Sequence, residues 1–409
     1  MESKFNFEDF KKEAVGDLLS GKSLSGPDGV LAPLIKQFLE AALEAELESH
    51  IKETKASGVK NRRNGRMSKE VRSLSGGNFS LETPRDREGS FEPQMVQKRQ
   101  VFIGADLERK VIKLYARGMS YEDISAELRE IYGIEASAAF LSEVTDKVVP
   151  LMESWRNREL EKVYYFTFLD AMHFRVRGEN SRVGNVMLYL VMGITKEGKK
   201  DVLGMYLAET EGAKFWLHVL QDLRRRGVED LLIVSVDGLK GFEEAIRTFY
   251  PEAEVQQCVV HQIRHTMKFV SDKDGRDFIK DLKLVYQAGN LESAERGLND
   301  LETKWGKKYP AAIESWRLNW GRLSTYLQYP EAIRRIIYTT NPIESLNRRI
   351  RKVTKTKGAF VSETALFKVV YLVIQEVTDK WVMKQRDWGQ ILGQMQILFG
   401  ERARIFEKN

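Results

Sequence analysis

A single cysteine, Cys258, in 409 residues leaves no partner for an internal disulfide. No apolar run approaches the ~20 residues needed to cross a bilayer. The opening residues MESKFNFEDFKKEAVG are too charged to hold the apolar core of a secretory signal. No membrane role is expected, and the chain reads as soluble and intracellular, with the bacterial cytoplasm the simplest compartment. A strong charge of either sign is also missing. The 65 Lys and Arg stand against 59 Asp and Glu, a net +6, so attraction to a polyanion must come from where the cations cluster. At this length a catalytic domain accompanied by smaller modules is expected.

Apolar residues recur with helical spacing at Leu31, Leu34, Ile35, Phe38, Leu39, Ala42, Leu43 and Leu47. The stripe must be covered, either by its own domain or by a second copy. KASGVKNRRNGRMSKEVRS then sets Lys60, Arg62, Arg63, Arg66, Lys69 and Arg72 almost without acids, the composition of a solvated face or of an arm that contacts phosphates. GGNFSLETPRDREGSFEPQMV follows as extended chain broken by Gly and Pro, a small sheet or an arm. Three short helical patterns come next, punctuated by Gly118, by Ser120 with Asp123 at the capping-box spacing, by Gly133 and by Ser137. This is the layout of a helix-turn-helix, whose last helix, at about residues 136–147, would read DNA in the major groove.

From residue 162 the texture changes. KVYYFTFLDAMHFRVRG, RVGNVMLYLVMGITKEG and KKDVLGMYLAET read as three antiparallel strands. The helix GAKFWLHVLQDLRRRG, the strand LLIVSVDG, the helix KGFEEAIRTFY and the strand AEVQQCVV follow. The order β-β-β-α-β-α-β implies an α/β fold with a mixed, ribonuclease-H-like sheet in which strands one and four are neighbours. Asp170 would then lie inside the first strand, where an ionised carboxylate needs compensation, and Asp237 at the end of the fourth, followed by Gly238. Side by side, the two acids repel unless a cation binds between them. In TTNPIESLNRRIRK, Thr340 or Asn341 can cap a helix and Pro342 suits its first turn, which also holds Glu344. Asn347 and Arg348 lie one turn further on, with Arg351 beyond, and Arg349 and Lys352 extend the basic character of the helix.

Each acid taken singly has a plain structural reading, as a turn former or as a dipole partner of a helix. Taken together they fit a two-metal phosphodiester site: Asp170 bridging two Mg²⁺ ions, with Mn²⁺ a substitute, and Asp237 and Glu344 each completing one. Cys258, His261 and His265 tempt a zinc reading, but too few ligands are in evidence for a tetrahedral site. His261 instead is expected near Asp237, and Cys258 and Asn347 are further near-site candidates.

FLDAMHFRVR, VSVDGLKGFEEAI, VQQCVVHQIRH and IYTTNPIESLNRRIRK, together with the earlier NRRNG and PRDREGSFEP, resemble the bacterial insertion-sequence transposases of the Mutator superfamily, from about residue 31 onward. The resemblance implies a DDE transposase with Asp170, Asp237 and Glu344 as catalytic and metal-binding acids and an all-helical insertion before the Glu344 helix. Trp316, Arg317, Trp320, Arg334 and Arg335 of that insertion are candidate DNA contacts, although core packing suits the tryptophans better.

The expected organisation is an N-terminal helical segment (1–55), a basic arm and extended region (56–105), a helix-turn-helix (106–150), a catalytic domain (160–259 with 339–380), a helical insertion (260–338) and a helical tail (381–409). Double-stranded DNA, as transposon ends and target, is the expected partner, contacted through Arg62, Arg63, Arg66, Lys69, Arg348, Arg349, Arg351 and Lys352, and a homodimer would hold two ends. A nuclease or resolvase of the same fold without strand transfer, and a non-cutting repressor, remain open from sequence.

Overall fold

The computed structural model describes residues 6–24, 29–73, 77–98, 102–103, 105–178, 180–238, 241–338 and 341–403. The chain divides into two compact units, Met1–Val149 and Pro150–Asn409.

In the first unit, helix α1 (Phe7–Leu19) buries none of its residues, whereas α2 (Ala32–Ala56) buries Leu43, Leu47 and Ile51. Strands β1 (Arg63–Ser73) and β2 (Gly77–Asp86) form an antiparallel hairpin, and the short β3 (Phe102–Ile103) runs parallel to β1. Leu43 packs with Val71, Leu81 and Val96, and Leu47 and Ile51 pack with Phe91. The second half of the α2 stripe is therefore covered within its own unit, while Phe38 in the first half stays 69% exposed.

The basic run forms the exposed β1. Arg63 and Arg66 pair with Glu44 of α2 at 3.3 and 3.1 Å, Lys69 donates to the Gln97 carbonyl, and Arg72 donates to that of Glu135. At the strand ends Asp86 is buried and accepts from the Asn61 amide, the Ser90 hydroxyl and the Ser90 and Phe91 backbone N–H groups.

Three helices follow: α3 (Ala105–Ala116), α4 (Tyr121–Tyr132) and α5 (Ala138–Asp146). Ser120 and Asp123 form the reciprocal capping box read from their spacing, Gly133 ends α4 at φ +62°, and the Ser137 hydroxyl accepts from Phe140 N. Leu107, Val111, Ile124, Leu128, Leu141 and Val144 are buried on these helices.

The second unit is entered through α6 (Val149–Arg156). Its sheet consists of β4 (Val163–Arg177), β5 (Val183–Ile194) and β6 (Lys200–Ala208), then α7 (Ala213–Arg225), β7 (Asp230–Val236), α8 (Phe242–Phe249) and β8 (Glu254–Gln257). The spatial order is β6-β5-β4-β7-β8. β4–β5 and β5–β6 are antiparallel, and β4–β7 and β7–β8 are parallel, so the first and fourth strands are neighbours as the element order implied.

One boundary differs from the sequence reading. AEVQQCVV reads as strand throughout, but β8 stops at Gln257. Cys258 N makes a last ladder bond to the Val236 carbonyl, and its own carbonyl accepts from Gln262 N to start α9 (Val259–Met267).

Helices α10 (Asp272–Tyr286), α11 (Leu291–Trp305), α12 (Pro310–Leu323) and α13 (Glu331–Ile337) succeed α9 before α14 (Asn341–Thr354), α15 (Glu363–Thr378) and α16 (Trp388–Phe399). Between Val259 and Ile337 no strand occurs among the described residues. Tyr164, Leu169, Val234 and Val236 of the sheet join Trp216 and Leu220 of α7 and Phe242 and Ile246 of α8 in one core, while α14 and α15 contact β4. The segment after α16 clamps the far end of the sheet. Arg402 grips the Asp230 carboxylate with two nitrogens, and the Tyr165 hydroxyl donates to the Ala403 carbonyl.

Candidate metal centre

The parallel register between β4 and β7 matches Leu169 with Val236, which sets Asp170 and Asp237 level on neighbouring strands. β7 ends there, and the chain turns through Gly238 at φ +50° and Gly241 at φ +71°. At Gly241 the need for glycine is twofold. Its φ is left-handed, and a Cβ would stand 2.4 Å from the backbone nitrogen of Ala213 at the start of α7. The D-G-x-x-G spacing thus lets α7 and α8 close beside the strand end.

Asp170, Asp237 and His261 each offer one ligand atom within 4.8 Å of the others. Asp170 is 5% exposed. Its Oδ2 accepts from the Asn347 side-chain amide at 2.5 Å, and its Oδ1 accepts from Ala171 N at 2.9 Å. Burial pushes its pKa above the usual carboxylate range and the charge of Asp237 adds to this, against the opposing pull of His261, the Ala171 N–H and Arg351. Asp237 is raised in the same way, by burial first and then by the charge of Glu344, with His261 and Arg264 opposing.

His261 Nδ1 lies 3.3 Å from Asp237 Oδ1. Burial lowers its pKa, but Cys258 and the two aspartates outweigh this and hold it up at about 9.

α14 crosses the same site. Asn347 is 1% exposed and reaches Asp170. Glu344, one turn earlier, lies beside the aspartates rather than among the three grouped ligands, with its Oε1 3.0 Å from Arg264 Nη1. That contact and the one between His261 and Asp237 lack hydrogen-bond alignment. His261 Nδ1, Glu344 Oε1 and Asn347 Oδ1 are therefore buried polar atoms without a hydrogen-bond partner. Close carboxylates and the unsatisfied oxygens of Glu344 and Asn347 are what a hard divalent cation would satisfy, and such an ion would displace the proton that His261 otherwise holds, so the donor set fits it.

The other candidates scatter. Arg348 and Arg351 are exposed on α14, whereas Arg349 pairs with Glu376 of α15 at 2.6 Å. Lys352 is exposed, and Arg62, Arg63, Arg66 and Lys69 belong to the first unit. The capping expectation falls partly on Thr340, which lies outside the described residues. Of the insertion residues, Trp316 is buried, with its indole donating to the Thr266 hydroxyl. Arg317 pairs with Glu302, Arg335 with Glu331, and Arg334 donates to the carbonyls of Leu327, Tyr329 and Gly289. These contacts occupy the arginines within the helical layer.

Sequence reasoning missed Arg264, although it sits three residues after His261 on the same helical face, a spacing that would have flagged it. It also missed Ser315, Asn319 and Arg322, which with Asp237, His261 and His265 line a cleft of about 340 Å³ between the strand ends and α12.

A mixed α/β protein with a candidate cation site at its strand ends is the class to which this geometry assigns the chain. Residues 9–384 match the Mutator family of transposases, and the chain belongs to that family. It is 41% identical over 398 residues to the transposase for insertion sequence element ISRM3 of Rhizobium meliloti (strain 1021), covering 96% of this chain and 98% of the relative. It is 40% identical over the same length, with the same coverage, to a probable transposase for an ISRM3-like element of Sinorhizobium fredii (strain NBRC 101917 / NGR234). A probable insertion-element transposase of Corynebacterium diphtheriae is 40% identical over 298 residues, 73% of this chain and 86% of that one. No helix among the described residues is long and apolar enough to cross a membrane.

Proposed function

We propose that residues 160–259 and 339–380 form a ribonuclease-H-like catalytic domain whose acids Asp170, Asp237 and Glu344 cut and rejoin DNA at the ends of an insertion sequence, in the bacterial cytoplasm. The observation that carries this reading is the level placement of Asp170 and Asp237 on adjacent parallel strands beneath α14, the helix that bears Glu344. Asp170, Asp237 and either Glu344 or His261 would hold divalent ions, Mg²⁺ or Mn²⁺. Such ions would supply an activated oxygen nucleophile and stabilise the leaving oxygen of a phosphodiester displacement.

The chain's own residues do the rest. The Asn347 amide fixes the Asp170 carboxylate, and β4 and β7 hold the two aspartates in register, so the acids are preorganised before DNA arrives. Arg264, 59% exposed beside Glu344, can turn its guanidinium toward a phosphate. A nick that frees a 3′-hydroxyl at the element's end, followed by attack of that hydroxyl on a second phosphodiester, needs no covalent link to the protein. α3 to α5 serve as a helix-turn-helix that reads the ends, and the exposed face of β1 with Arg62, Arg63, Arg66 and Lys69 follows the backbone. Two chains, one per end, meet through the uncovered first half of α2 at Phe38.

The test is Asp237→Asn in a Mg²⁺-dependent assay on DNA bearing the element's ends. Cleavage and joining are expected to fall to background while DNA binding and the melting curve persist. Intact cleavage and joining in a folded variant would reject the assignment, and cleavage without joining in the parent protein would make it a nuclease.

A further inference from the structure

The candidate centre is flanked by a second depression that the catalytic reading does not use. The connection between α14 and α15 is pinned to the outer half of β4. Phe360 N donates to the Arg175 carbonyl at 2.8 Å, Arg177 N donates to the Phe360 carbonyl at 2.9 Å, and the rings of Phe174 and Phe360 meet edge to face. Phe360 thereby makes a parallel bridge to Val176. The pinned connection closes one wall of a trough of about 400 Å³, whose other wall is the β4–β5 hairpin.

No carboxylate lines this trough, but Arg175, Arg351, Lys355 and Lys357 do. Arg175, Arg351 and Lys355 are exposed and form no ion pair among the described residues. Elsewhere in this unit exposed arginines such as Arg317, Arg322 and Arg335 are matched by glutamates. The positive groups of Arg175, Arg351 and Lys355 around one concave surface repel one another, which costs stability unless a polyanion meets them. The trough also leads to the chemistry. Arg351 follows Asn347 by one helical turn and is close enough to Asp170 to favour its ionised form, and Met172, two residues after Asp170 on β4, is part of the lining.

We infer that this trough is a backbone-binding subsite for a DNA strand passing over Asp170, in which Arg175, Arg351 and Lys355 touch consecutive phosphates beside the one being cut or joined. The inference rests on the DNA-processing reading above and adds to it the path of the strand. Interactions of this kind are sequence-independent, so they position the strand and select no bases. The bound strand has two sources with the same chemistry, the DNA flanking the element's end or the target DNA.

The only cysteine is fully buried, so Lys355→Cys or Arg175→Cys adds a single accessible thiol to the whole chain. Each variant is incubated in metal-free buffer with duplexes that carry a disulfide-activated tether on one chosen phosphate. One duplex series holds an uncut end with its flank, and the other a pre-cut end with target DNA. Efficient capture at one or two adjacent phosphates near the scissile position is expected, several-fold above that of Lys162→Cys at the opposite end of β4. Capture on the flank series identifies donor DNA, and capture on the target series identifies target DNA. The double variant Arg175→Gln with Lys355→Gln should lower the slope of log affinity against log salt by about 0.9 for each phosphate that is no longer neutralised. Capture no better than the Lys162→Cys control, or an unchanged salt slope in a folded double variant, overturns the subsite. Because these readouts involve no cutting, failure of the catalytic assignment at Asp237 would be seen separately.

Discussion

Asp86 in the first unit and Asp170 in the second are the two almost wholly buried carboxylates among the described residues, at 3% and 5% exposure, and burial has opposite outcomes in them. Burial alone raises both. At Asp86 the hydrogen bonds from Asn61, Ser90 and the backbone of Ser90 and Phe91 outweigh it and bring the pKa down to about 2. At Asp170 the charges of His261 and Arg351 and the Ala171 N–H do not outweigh burial and the neighbouring Asp237, and the pKa stays raised. The difference separates an anion whose charge is fully answered by its own chain from one whose surroundings leave room for an external cation.

Substitution gives the largest contrast. Asp86→Ala strands the Asn61 amide and the Phe91 backbone N–H in the interior, at a cost of about 3 kcal/mol to the first unit. Asp170→Asn removes a disfavoured charge, and Asn347 can turn its unpartnered Oδ1 toward the new amide. Chemical denaturation read separately for each unit should show the first unit weakened in Asp86→Ala and the second unchanged or strengthened in Asp170→Asn. Equal losses in both units would mean that the two carboxylates are held alike.

Next in size is the response to metal. Mg²⁺ at a hundredfold excess over its dissociation constant should stabilise the second unit by about 2.7 kcal/mol, leave the first unchanged, and lose its effect in Asp170→Asn. A calorimetric scan with and without Mg²⁺ measures this. An equal shift in Asp170→Asn would place the ion elsewhere.

The smallest effect is on acid stability. Because the folded pKa of Asp86 is depressed, its contribution of about 2 kcal/mol is complete above the unfolded value near 3.9 and is lost as pH falls through about 2. Denaturation of the first unit across that window should therefore be steeper in the parent chain than in Asp86→Asn. Parallel curves would mean that Asp86 is not held down.

The sheet was legible because its signals are local. Three β-branched runs with turn residues between them, then two apolar runs separated by helices, admit few topologies, and adjacency of Asp170 and Asp237 follows from the order alone. The helix caps at Ser120, Gly133 and Ser137 were legible for the same reason. Long-range polar pairing was not. NRRNG drew attention to its arginines and PRDREG read as extended chain, yet the side chains that join the two segments are Asn61 and Asp86. The pairing of Glu344 with Arg264 joins residues from two helices that only the folded chain brings together, and no periodicity encodes it. The segment after α16 reads as an appendage, because nothing in its composition shows that Arg402 fits Asp230.

That clamp has a bearing on how the molecule is made. Tyr165 and Ala403, joined through the tyrosine hydroxyl, are 238 residues apart, so β4 waits for most of the remaining synthesis before its base is fastened. The first unit, a compact body of residues 1–149, can settle while the ribosome is still working. The first unit is therefore complete well before the base of the sheet is fastened, and a message broken before codon 403 would leave the second unit with that end unbraced.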